Sequence, residues 1–172
     1  MTVSMKSLMF CAPLLALVSC AGYKLGGVKP ASLAHVKTIA VPMFSNDTLH
    51  PRAEALATSA VANAIVLDGT YRLVKSDDAD AVLVGKVSSL KYSALRGNRI
   101  DTLLPEELTN SVTLQWTLCD GRDRTKVLAS GSSTGTSQLF VSSNLQTARN
   151  NALPEALERA GEALVSTLSN GY

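Results

Sequence analysis

From residue 36 onward the chain switches between two hydrophobic periods, and each switch predicts an element. Residues 36–43 (VKTIAVPM) form a short apolar run rich in β-branched side chains and bounded by the turn-forming Asn46-Asp47, which suits a strand covered on both faces. Over residues 51–68 the apolar positions are Ala53, Leu56, Ala57, Ala60, Val61, Ala64 and Ile65, the stripe of one helix face. Pro51 opens this helix and Gly69 closes it. A stripe made mostly of alanine lets a helix lie close to a sheet, so it reads as core and not as a binding surface.

Residues 71–74 predict a short strand and residues 81–95 a longer one. In the longer strand Leu83, Gly85 and Val87 keep one parity while Leu90, Tyr92 and Ala94 keep the other. Side chains alternate strictly along a strand, so this phase change predicts a bulge near Ser88-Ser89. Residues 111–119 alternate cleanly, with Val112, Leu114, Trp116 and Leu118 on one face and Ser111, Thr113, Gln115 and Thr117 on the other. One face is buried and the other polar. Asp120-Gly121-Arg122-Asp123 is a turn, after which residues 127–136, dominated by Ala, Ser, Gly and Thr, return as an edge strand. Residues 145–168 resume helical spacing at Leu145, Ala148, Ala152, Ala156, Ala160, Leu164 and Leu168, and Asn170-Gly171 ends the segment. Pro154 kinks this helix or marks its true start. The economical arrangement is an α+β two-layer sandwich, a mixed four-stranded sheet with both helices packed on one face. A right-handed crossover through the first helix makes the first two strands parallel.

The amino terminus obeys a different logic. Residues 1–19 combine Lys6, an apolar run from Leu8 to Val18 and a small residue before Cys20, the parts of an export signal that is removed. The run is far short of the roughly 20 apolar residues that a spanning helix needs. Leu17-Val18-Ser19-Cys20 fits a bacterial lipobox, in which the Cys20 thiol takes a diacylglycerol and, after cleavage, an N-acyl chain. An ordinary signal peptide with an incidental cysteine is the plainer reading of the same residues. Acyl chains at about 0.8 kcal/mol per buried CH₂ tether a protein firmly to the membrane leaflet they enter. Ala21, in place of an aspartate, favours the outer membrane, so the expected location is its periplasmic face, anchored in the inner leaflet. Residues 20–35, with Gly26, Gly27 and Pro30, then form a flexible stalk, and residues 36–172 a single periplasmic domain.

Charge narrows the partners. With 16 Lys and Arg against 14 Asp and Glu, both scattered, the chain lacks the concentrated basic surface that nucleic acid requires. Cys11 leaves with the signal and Cys20 is modified, so Cys119 is the remaining thiol and has no internal disulfide partner. His35 and His50 have no ligand partner at metal spacing, and Asp77, Asp78 and Asp80 read as a solvated turn. No nucleophile elbow or phosphate loop occurs, so the sequence gives no case for an enzyme.

Cys20 followed by Gly22-Tyr23-Lys24-Leu25-Gly26-Gly27, the strand Thr38-Ile39-Ala40-Val41-Pro42, the turn Phe44-Ser45-Asn46-Asp47-Thr48 and Asp80-Ala81-Val82-Leu83-Val84-Gly85 together resemble the LptE family of lipopolysaccharide-assembly lipoproteins. The resemblance implies two helices on one face of a four-stranded sheet. It also implies a non-enzymatic role as plug and assembly partner of the LptD outer-membrane β-barrel, assisting lipopolysaccharide delivery to the outer leaflet. The opening strand also resembles LpoB- and CsgG-type periplasmic lipoproteins, which activate cell-wall synthases or form secretion pores. Lys91, Arg96 and Arg99, three cations with no acid among them, are the candidate lipopolysaccharide-binding residues. A guanidinium fork suits lipid A phosphates, and Leu95 and Ile100 stand beside it for acyl chains. The plainer alternative is a solvated loop.

Overall fold

The computed structural model describes residues 29–97, 105–140 and 144–171. Along the chain run a 3₁₀ turn (Ala31–Leu33), β1 (Thr38–Ala40), β2 (Ser45–Asn46), α1 (Ala53–Asp68), β3 (Arg72–Leu73), β4 (Ala81–Gly97), β5 (Pro105–Asp120), β6 (Val127–Phe140) and α2 (Leu145–Asn170).

The strands form one mixed sheet in the order β3-β1-β4-β5-β6, with β2 pairing separately along β4. The four-stranded expectation is therefore corrected to six strands. The additions, β2 and β3, are only two residues each, extended by parallel pairing to β4 and β1. Segments that short carry no period of their own to read. β1 is also shorter than expected, three residues that are all buried, because it lies between β3 and β4 and is parallel to both. β4, β5 and β6 are antiparallel neighbours. The β4 to β5 register shifts between Val87 and Ser89, at the expected bulge.

α1 starts after Arg52, whose φ of 66° is left-handed, and stops at Gly69, with φ 72° and its amide on the Ile65 carbonyl. Its buried residues are Ala53, Ala57, Ala60, Val61, Ala64 and Ile65, the expected stripe apart from Leu56, which is half-buried against the core. α2 is capped by the Asn144 side chain, which accepts from the Thr147 amide, and it passes through Pro154 without ending. Both helices cover the same sheet face and pack on each other, where Gly161 of α2 lies against the backbone of Ala60 and Val61.

The covered sheet face is built in rows across β4, β5 and β6. Leu83, Leu118 and Ala129 form one, then Gly85, Trp116 and Gly131, then Val87, Leu114 and Ser133, then Leu90, Val112 and Gly135, then Tyr92, Asn110 and Ser137, then Ala94, Leu108 and Leu139. Both glycine neighbours of Trp116 make room for an aromatic ring. A Cβ on Gly131 would strike the indole, and one on Gly85 would strike the Phe44 ring that lies over it. The indole N–H donates to Ser133 Oγ at 3.1 Å. At Gly135 the α2 backbone itself lies so close that a Cβ would collide with the Ala156 carbonyl oxygen and the Ala160 nitrogen.

Candidate functional site

Two regions of the described surface have the makings of a binding site, and they lie on different parts of the sheet. The first follows the far half of β4. Beyond its short pairing with β2, β4 has no strand neighbour on that side among the described residues, and a cleft of about 520 Å³ opens along residues 88–92. The β2–α1 connection (Thr48, His50) closes one side, and Gln146 and Arg149 of α2 close the other.

Lys91 stands exposed in this cleft. The Arg149 guanidinium lies 4.6 Å from the centroid of the Tyr92 ring, and its Nε is buried without a hydrogen-bond partner among the described residues. Stacking of this kind holds a guanidinium in place while leaving its terminal nitrogens free to donate. Burial raises the Tyr92 hydroxyl above the ordinary tyrosine range, and the Arg149 charge pulls it the other way. His50 joins the two walls, with Nδ1 3.0 Å from the Pro51 carbonyl and Nε2 3.2 Å from Asn150 Oδ1. Asp47 is the acid on the cleft wall, and Lys86 engages it at 2.8 Å. Among the described residues neither Lys91 nor Arg149 is ion-paired, so the cleft presents cationic character.

Of the four candidate residues from the sequence, Lys91 is thus placed on the cleft. Arg96 is a β4 residue opposite Glu107, near the tip of the β4–β5 hairpin. Its side chain, together with Cys20 and Arg99, falls outside the described residues. The sequence reading missed Arg149 and Tyr92. Arg149 does carry a signal, since it stands four residues after Leu145, on the stripe that otherwise holds Leu and Ala. A cation on an apolar stripe needs a partner, and here that partner is an aromatic ring.

The second region is the uncovered face of the sheet. Gln115, Thr117, Ser130 and Ser132, with Lys86 and Val84, line a shallow concavity of about 480 Å³. Beside it the Thr113 and Thr134 hydroxyls meet at 3.2 Å. Nearly all of this face is neutral and hydrogen-bonding, and its far border, β6, has no charged residue and no proline.

The opposite end of the domain is where the amino-terminal segment joins. Lys29 Nζ donates to the Val36 carbonyl at 2.9 Å and lies 4.4 Å from the centroid of the Tyr71 ring. One residue further in, Asp80 Oδ2 accepts from the amides of Lys37 and Thr38, both at 2.9 Å. Those amides hold the Asp80 carboxyl below the usual carboxylate range. Asp77 and Asp78 are exposed, as a solvated turn requires, but Asp80 is the pin between β1 and β4. Among the described residues no group of three His, Cys, Asp or Glu is placed to hold a metal, and no helix is long and apolar enough to cross a membrane.

The family model for lipopolysaccharide assembly, LptE, matches residues 36–168. Among solved structures, a hypothetical protein from Chlamydia trachomatis superimposes with a TM-score of 0.53 at 11% identity, over 76% of this chain and 94% of its own. A protein from Xanthomonas campestris gives 0.51 at 18% identity, over 83% and 90%. At such identities the likeness is one of fold. No curated protein matches the chain.

Proposed function

The chain belongs to the LptE lipopolysaccharide-assembly family, and from that premise we propose that it is a non-enzymatic, lipid-anchored partner of an LptD-like outer-membrane β-barrel, plugging it and helping it assemble. In this role it assists delivery of lipopolysaccharide to the outer leaflet. Cys20 carries the acyl chains in the inner leaflet, and Arg96, Arg99 and Lys91 meet lipid A phosphates.

The observation that carries the reading is the placement of the two ends. The clamp formed by Lys29, Tyr71 and Val36 lies beside the start of β4, and Arg96 lies at its other end. A strand of 17 residues spans about 50 Å at roughly 3.3 Å per residue. Eight residues lie between Cys20 and Lys29, enough for at most about 30 Å of chain. With β4 along the membrane normal, the two ends of the domain lie farther apart than the roughly 30 Å of a hydrocarbon core. The neutral, hydrogen-bonding sheet face suits the wet, polar wall of a barrel lumen.

The test is affinity purification of tagged full-length protein from native outer membrane in mild detergent, with mass spectrometry of the mature amino terminus. A large β-barrel recovered in one-to-one ratio and a triacylated Cys20 are the expected results. A cell-wall synthase recovered in place of the barrel, or an unmodified cysteine, overturns the reading.

A further inference from the structure

One row of the covered sheet face breaks the rule that buried polar groups are satisfied. Asn110 is fully buried, and among the described residues neither its amide nitrogen nor its amide oxygen has a partner. Beside it across the ladder, the Tyr92 hydroxyl is also buried without a partner among the described residues. Ser137, on the other side, reaches the Ala152 carbonyl at 2.6 Å. The row Tyr92, Asn110, Ser137 divides the apolar interior in two. On the β4-start side lies the main core, which takes Leu153, Ala156, Leu157, Ala160, Leu164, Val165 and Leu168 from α2. On the tip side lies a small cluster of Leu108, Leu139 and Ala152, flanked by Leu145 and Ala148.

The helix above is divided at the same level. Pro154 has no amide to give the Asn150 carbonyl, so the α2 ladder is interrupted where the helix passes from the small cluster to the main core. Residues 145–152 are thus joined to the rest of α2 through a missing hydrogen bond. They cover an unsatisfied amide and rest on little apolar surface, held at the side by the Arg149 stack on Tyr92 and the His50 contact to Asn150. Sparse apolar contact and interrupted hydrogen bonding mark the segments that open first.

We propose that residues 145–152 of α2 form a flap hinged at Pro154, which lifts from the sheet independently of the rest of the helix. Opening brings Tyr92, Asn110 and Ser137 to the surface beside the Lys91 cleft, and frees the Arg149 guanidinium from the Tyr92 ring. Water reaches the Asn110 amide in the open state, which is what drives the opening. The proposal does not depend on the barrel partnership.

Amide hydrogen exchange on the full chain in detergent micelles tests it. Amides of residues 149–152 should exchange about 100-fold faster than those of residues 157–164. Asn110→Leu replaces the amide by an apolar side chain with the same number of heavy atoms and should slow exchange in 149–152 about ten-fold, with 157–164 unchanged. Pro154→Ala restores the missing donor and should bring the two halves closer together. Equal exchange of both halves in the unaltered protein overturns the flap. Flap exchange that is unchanged or faster in Asn110→Leu overturns the role of the buried amide, and a Pro154→Ala variant with the original difference overturns the hinge.

Discussion

The Tyr71 hydroxyl donates to the Leu168 carbonyl at 2.7 Å, although 97 residues separate them in the chain. Tyr71 is buried between α1 and β3, and Leu168 is in the last turn of α2, so this bond closes the main core at the tethered end. Burial, reinforced by Asp68, pushes the Tyr71 hydroxyl up to about 12. Tyr71→Phe should lower stability by about 1 kcal/mol at neutral pH. Below the unfolded value, near 10, both states keep the proton and the contribution is whole. Between there and about 12 the unfolded chain ionises first, and the contribution is lost. Urea midpoints of the two proteins, measured from pH 7 upward, should converge in that window.

Asp80 behaves in the opposite sense. Its folded carboxyl is held below the ordinary value by the Lys37 and Thr38 amides, so its contribution is present above about pH 4 and fades as the pH falls through the lowered folded value. The carboxylate is exposed and screened by solvent, so Asp80→Ala should cost no more than about 1 kcal/mol at pH 7 and unfold with a flatter acid limb than the unaltered protein. Circular dichroism from pH 6 down to pH 2 reads both. Equal acid limbs would remove Asp80 from the joint between β1 and β4.

At Gly135 the obstacle is the α2 backbone, which cannot rotate aside as a side chain can. Gly135→Ala should therefore destabilise by about 3 kcal/mol, the upper part of the usual overpacking range. Ser132→Ala, exposed on the same strand, should stay within about 0.5 kcal/mol. Denaturant midpoints of the pair make the comparison.

On the proposed function, replacing Arg96 and Arg99 with glutamate should weaken lipopolysaccharide binding at least about ten-fold and leave the remainder less dependent on salt. Barrel recovery and thermal midpoint should barely change. Fluorescent lipopolysaccharide titrated at two ionic strengths provides the reading, and unaltered affinity in the folded double variant would return these residues to a solvated loop.

Most elements were legible because their inner faces obey one period without interruption. The alanine stripe of α1 and the Val112 to Leu118 alternation of β5 are cases of this, and the phase change in β4 located its bulge. The lengths of β5 and β6 were not legible. Asn110 falls on the inner face of β5 and Ser137 on that of β6, so the apolar alternation stops where the strands continue to Pro105 and Phe140. The cleft was half legible. Lys91 announces itself by charge, whereas the stack of Arg149 on Tyr92 and the contact of His50 with Asn150, 100 residues apart, exist only after α2 has docked.

The sheet order also dictates a sequence of events during synthesis. β4, β5 and β6 are chain neighbours joined by hairpin pairing, and such local contacts close early. β1, by contrast, is made first and is paired on both sides, yet neither β3 nor β4 exists until more than thirty further residues have followed. α1 emerges in that interval with its alanine face bare, because Gly161 and its neighbours in α2 are among the last residues made. The nascent amino-terminal third thus waits unpartnered until the meander behind it can receive it, which makes that third the stretch on which a holding chaperone would act.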